Sequence, residues 1–178
     1  MLKEAVVFGR EVLVRPAGDA VVVADNDRYE IRFVSPDGAL RRVVRRAHTP
    51  VRAQAADVEA FFAARDADMP GLPPEVVASL QRMRARQREA LPRRETFPAF
   101  ADARVDAVDN LWVEEYRRPA DEQPRWSVFD PEGRWLGTVE TPAGLAVHQI
   151  GPDWILGVQK DALEVEHVRM YPLVKPGR

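Results

Sequence analysis

Ser35-Pro36-Asp37-Gly38 and Asp130-Pro131-Glu132-Gly133 are one hairpin corner written twice. In each copy an oxygen side chain opens the turn, and Pro fixes φ near −65° at the next position. An acidic residue follows, and Gly supplies the φ > 0 residue that lets the chain return antiparallel. The flanks match as well. Arg32-Phe33-Val34 and Ser127-Val128-Phe129 lead in, and Ala39-Leu40-Arg41 and Arg134-Trp135-Leu136 lead out. A repeated hairpin with strand-forming flanks predicts a repeat protein built of antiparallel strands.

Outward from the first corner the grammar stays that of short strands. Glu11 to Arg15 is stopped by Pro16-Ala17-Gly18-Asp19, and Ala20 to Ala24 is continuously apolar, as a strand covered on both faces would be. Tyr29 to Val34 alternates, with Tyr29, Ile31 and Phe33 on one face, and Leu40 to Arg46 follows the corner. This predicts a four-stranded meander. Residues 2–8 add a further short strand closed by Gly9.

The pattern changes at Ala47. Ala55, Val58, Phe61, Phe62 and Met69 form a helical stripe over 54–69, and Pro70-Gly71-Leu72-Pro73-Pro74 breaks it. A second helix from about Pro74 to Leu91 aligns Val76, Val77, Leu80 and Met83, with Pro at its first turn and Pro92 at its end. Strands resume after Phe100: 103–106, 111–116, 125–129 and 135–139, then 145–150, 154–158 and 165–171.

Superposing the strand units places Val34, Phe129 and Tyr171 at the same position, just before the corner. The last two are about 42 residues apart, and removing residues 47–99 from the first interval leaves about the same spacing, which is the period of a four-stranded propeller blade. The expected organisation is therefore a mainly β chain of about three four-stranded antiparallel blades, a partial propeller. Residues 1–46 hold a partial blade and a first complete blade, 47–99 an inserted helical hairpin, 100–142 a second blade, and 143–178 a third blade without its outermost strand. Trp112, Trp126, Trp135 and Trp154 are expected in the core between blades.

Composition bounds the function. The 178 residues carry a net charge of −2, so no global field selects nucleic acid or an anionic membrane. There is no Cys, which removes disulfides and thiolate chemistry. No apolar run approaches the ~18–20 residues of a membrane span, and the N-terminal stretch does not read as a signal peptide.

Tyr29-Glu-Ile-Arg-Phe-Val-Ser-Pro-Asp-Gly, Trp126-Ser-Val-Phe-Asp-Pro-Glu-Gly and Val105-Asp106-Ala107-Val108-Asp109-Asn110-Leu111-Trp112-Val113 resemble the repeats of six-bladed β-propellers of the NHL-like and TolB-like kind. The resemblance covers residues 11–46 and 100–174. It implies that three blades belong to a longer six-bladed protein, exported to the periplasm or outside the cell, or that two copies associate to complete the ring. It is nearly silent on activity, because this fold hosts many functions.

The chemistry-bearing residues are few. Asp25-Asn26-Asp27 and Asp106 with Asp109-Asn110 are the densest oxygen clusters, and lactonase-like propellers hold a divalent cation with such groups. Turns ask for the same residues, and no EF-hand pattern is present. Arg82, Arg84, Arg86 and Arg88 line the polar side of the second helix and form a candidate binding surface. Without interleaved aromatic platforms they argue against nucleic acid, although RNA binding there is an alternative. His48, His148 and His167 have no partner at ligand spacing, and Glu114 and Glu115 point to opposite strand faces. No catalytic set emerges. The leading expectation is a non-catalytic binding or scaffold module that takes a protein or small ligand on the propeller face. A metal-dependent hydrolase or lactonase-like enzyme is the alternative.

Overall fold

A computed structural model describes residues 6–66, 74–118, 121 and 123–174. The alternating apolar segments form three antiparallel sheets in chain order. The first is β1 (Val12–Ala17), β2 (Ala20–Asp25), β3 (Glu30–Val34) and β4 (Leu40–Arg45). Two helices follow, α1 (Ala55–Asp66) and α2 (Pro74–Ala90). The second sheet is β5 (Asp102–Val105), β6 (Leu111–Glu114), β7 (Arg125–Phe129) and β8 (Trp135–Glu140). The third has three strands, β9 (Ala146–Ile150), β10 (Trp154–Lys160) and β11 (Glu166–Pro172). The chain is thus mainly β, with three antiparallel sheets of three or four strands and two short helices.

The corner of the sequence is built four times, not twice. At Ser35, Asp106, Asp130 and Asp161 the first residue's N–H donates to the carbonyl of the fifth, at 2.9–3.0 Å. The fourth residue's N–H returns to the first carbonyl. That fourth position has φ of 88° at Gly38, 83° at Gly133, 66° at Asp109 and 61° at Glu164. In three copies the leading Asp Oδ1 also accepts from the third and fifth N–H groups. In the first copy Asp37 takes over, accepting from the Ser35 hydroxyl and the Ala39 N–H. Two copies lack Pro and Gly, so a sequence reading keyed to those residues finds only ordinary turns there.

The middle sheet is covered on both faces. In β6, Leu111 and Val113 join Leu13, Val22, Ile31, Phe33 and Phe100 in one core. Trp112 points the other way and packs with Trp126, Val128, Val147, Ile150 and Ile155. A one-residue register slip would exchange these faces, so the alternation holds the strand in place. The outward faces of the flanking sheets remain apolar and open: Val12 and Val14 are 69% and 57% exposed, Val168 and Met170 73% and 63%.

Three expectations need correction. Of the strand at 2–8, residues 2–5 lie outside the described residues. Val7 makes only an isolated bridge to Arg93, and Phe8 sits at φ 55°, which breaks an extended course. Both are buried with Phe62 and Phe97 in a third apolar cluster that ties the helical insertion down. Trp135 is exposed, because β8 is an edge strand and Trp135 lies on it beyond both cores. On α2 the apolar line is half open: Val76 and Met83 are exposed, and the helix touches α1 where the Arg88 guanidinium lies 4.8 Å over the Phe62 ring. Met69 and the break at 70–73 lie outside the described residues. No described helix is long and apolar enough to cross a membrane.

The meander sorts its connections onto two ends. At one end lie the tight returns 18–19, 35–39, 106–110, 130–134 and 151–153. At the other lie 26–29, the long connection 46–101 with both helices, 115–124, 141–145 and 161–165.

Candidate functional site

The loop end carries a cleft of about 370 Å³ where the first two sheets meet the insertion. Tyr29 leads into β3, and Arg46 lies just past β4. The Arg46 N–H donates to the Tyr29 carbonyl at 3.2 Å, one rung beyond the ladder. The second sheet repeats the device, with the Glu115 N–H donating to the Arg125 carbonyl at 2.8 Å. Each pair is thereby held at a strand end facing the other.

Between them sits Ser127, fully buried on β7. Arg46 Nη1 donates to Ser127 Oγ at 2.9 Å, and Ser127 Oγ donates to Glu115 Oε1 at 3.3 Å. The Glu115 carboxylate stands 3.9 Å from the Arg46 guanidinium and 3.5 Å from that of Arg125, both outside good hydrogen-bond distance. Tyr29 is 6% exposed, and its hydroxyl lies beside Arg46 and Ser127 without a hydrogen bond of good geometry to either. Burial pushes this phenol's pKa up. His48 lies on the rim, its pKa lowered by burial first and then by Arg46 and Arg10. The opposite wall is apolar: Val51, Pro98, and the stacked rings of Phe97 and Tyr116, 5.4 Å apart.

The residues singled out in the sequence lie elsewhere. Asp25 ends β2 and Asp27 lies in the β2–β3 turn, both at the loop end. Asp106 and Asp109 occupy the β5–β6 turn at the opposite end, where Asp109 lies beside Gly18. The two pairs do not converge. Asp27 is paired with Arg10 at 2.8 Å, which holds its carboxyl below the usual range, and Asp25 accepts the Asp27 N–H. Asp106 accepts four hydrogen bonds: Val108 N–H, Asn110 N–H, Asn110 Nδ2 and Trp112 Nε1, each at 2.9 Å. These are turn-building roles. Among the described residues there is no group of three or more His, Asp or Glu placed to hold a divalent cation.

Arg82 and Arg86 are exposed on α2, Arg82 bonding back to the Ala78 carbonyl of its own helix. Arg84 and Arg88 are half-buried. None of the four reaches the cleft. Sequence reasoning passed over Tyr29, Arg46, Glu115, Arg125 and Ser127, which lie up to 98 positions apart and share no motif. One signal was available for three of them: Arg46, Glu115 and Arg125 are each at or next to a strand end that borders a long connection, whereas Tyr29 follows a short turn and Ser127 lies inside β7. No family model, no curated protein and no solved structure matches this chain.

Proposed function

We propose that the chain is part of a β-propeller that works as a non-catalytic binding or scaffold module, with the loop end as its ligand face. The propeller reading draws support from the way the first strands of successive sheets run beside one another. β5 lies against β1, and Arg104 of β5 and Ala107 of the corner after it donate to the carbonyls of His148 and Ile150 on β9. The apolar outward faces of the first and third sheets fit a stack that continues on both sides.

The observation that carries the binding reading is the cleft at the loop end, where charged groups from two sheets converge beside an aromatic wall. Long connections on a rigid frame are where binding surfaces are built. The test is a fragment screen followed by amide chemical-shift mapping on the full chain. Ligand-induced shifts are expected at the amides of Arg46 to Thr49, Val51, Phe97, Ala99, Glu115, Tyr116, Arg118, Asp121 and Arg125. Shifts confined to the tight returns would overturn the reading. So would metal-dependent ester or lactone turnover that Asp25→Asn abolishes.

A further inference from the structure

Resting on that reading, we infer that the Arg46–Arg125 cleft binds a small carboxylic acid that carries an apolar or aromatic body. Three guanidiniums line the cleft, Arg46, Arg118 and Arg125, against two carboxylates, Glu115 and Asp121. The cations are under-used. Arg46 gives one side-chain hydrogen bond, to Ser127. Arg125 and Arg118 make no side-chain hydrogen bond among the described residues, only ion pairs at 3.5 Å and 3.8 Å. Side-chain exposures of 45% for Arg46, 53% for Arg118 and 54% for Arg125 leave their N–H forks open to a ligand.

The geometry favours a carboxylate over a phosphate. Arg46 and Arg125 flank the Glu115 carboxylate at 3.9 Å and 3.5 Å, too far to spend their N–H groups on it, which leaves both guanidinium forks for a planar two-oxygen acceptor that they can engage bidentately. Among the described residues no helix N-terminus lines the cleft, and their net excess is a single positive charge, weak for a phosphate dianion. The facing wall of Val51, Phe97, Pro98 and Tyr116 offers apolar contact to whatever the acid carries. Such walls set affinity while a few charged groups set orientation.

Phenylacetate, phenylacetamide and inorganic phosphate are the probes, titrated into the labelled full chain and followed by amide shifts. Phenylacetate should bind saturably, with shifts at Arg46, His48, Glu115 and Arg125. Phenylacetamide and phosphate should each bind at least about 5-fold more weakly, the loss expected for one charge-assisted contact or for the apolar wall. Arg125→Gln, on the exposed rim, should weaken phenylacetate by about 5- to 10-fold, while Arg82→Gln on α2 leaves it unchanged. Equal binding of acid and amide overturns the inference, as does phosphate matching phenylacetate, or an Arg125→Gln variant that stays folded and binds normally. Cleft shifts without acid preference would remove this inference alone. An absence of shifts anywhere at the loop end would remove the binding-face reading with it.

Discussion

The two ends of the sheets treat their buried polar groups differently. At the tight end Ser35, Asp106 and Asp130 are each 7% exposed; the Ser35 hydroxyl donates within its own corner, and Asp106 and Asp130 each accept three or more hydrogen bonds. At the loop end the Tyr29 hydroxyl, Trp126 Nε1 and Thr141 Oγ1 are buried with no hydrogen-bond partner. A buried donor left unmade costs about 1–3 kcal/mol, so such groups concentrate where the chain gives up stability for something else. The loop end also holds a fully engaged buried group, Asn26, but it is where these unused polar atoms lie, and one of them, the Tyr29 hydroxyl, lines the open cleft. Substitutions should therefore be expensive at the tight end and cheap, or even favourable, at the loop end.

The strongest way to break that contrast is Asp106→Ala. It strips the acceptor from two backbone N–H groups, from Asn110 Nδ2 and from the Trp112 indole, which is 2% exposed. A loss of about 3 kcal/mol or more is expected in urea unfolding, because several donors are orphaned together. Asp106→Asn keeps one carbonyl oxygen and should lose less. A cost below about 1 kcal/mol for the Ala variant would show that the corner's hydrogen bonds are not what fixes this end.

A smaller effect separates the four corners from one another. Gly133 and Glu164 hold the same seat at φ 83° and 61°. Gly133→Ala should destabilise by about 1–2 kcal/mol, the cost of a Cβ in the left-handed region. Glu164→Gly should stabilise by up to ~1 kcal/mol for the converse reason, offset slightly by loss of the exposed Lys160 ion pair at 2.9 Å. Thermal melts of both variants read the difference. Two shifts of the same sign would break the equivalence of the seats.

These corners also mark what the sequence could and could not tell. Where Pro and Gly punctuate the turn, at 35–38 and 130–133, both the hairpin and its register are legible. Period-2 patterning makes the strands legible too, with Tyr29, Ile31 and Phe33 buried on one face. Asp106 and Asp161 conceal the same corner because Asp109 and Glu164 fill the left-handed seat without a glycine. The cleft was hidden for a different reason. Tyr29, Arg46, Glu115 and Arg125 come together only through the packing of two sheets, and an Arg at a strand end looks like any solvated charge. Arg82–Arg88, dense in sequence, drew attention because they are neighbours on one helix, which is not convergence on a site.

Tyr29→Phe sharpens the comparison at the loop end. The hydroxyl is buried and makes no hydrogen bond, so its removal should leave stability unchanged or raise it by about 1 kcal/mol. The ring contacts with Phe100 at 5.5 Å and Phe129 at 6.3 Å are kept. A loss of more than about 1 kcal/mol on calorimetric unfolding would show that the hydroxyl holds Arg46 or Ser127 in place, and that the loop end is as finished as the other.

The finest test is the pH dependence of Glu114, at the loop-end terminus of β6. Burial holds its carboxyl above the usual range, and Asp102 pushes the same way while Arg117 and Arg104 oppose it. The folded chain therefore binds this proton more tightly than the unfolded chain does. Stability must fall as pH rises from the ordinary carboxylate value through the raised one, and the penalty stays constant above it. Glu114→Gln carries no such charge. Its advantage over the wild type should vanish below about pH 4 and grow to a plateau by neutral pH. Urea midpoints at pH 3.5, 5 and 7 give the readout. Parallel curves for the two proteins would mean that Arg104 and Arg117 fully compensate the buried charge, and this end would then hold no electrostatic cost.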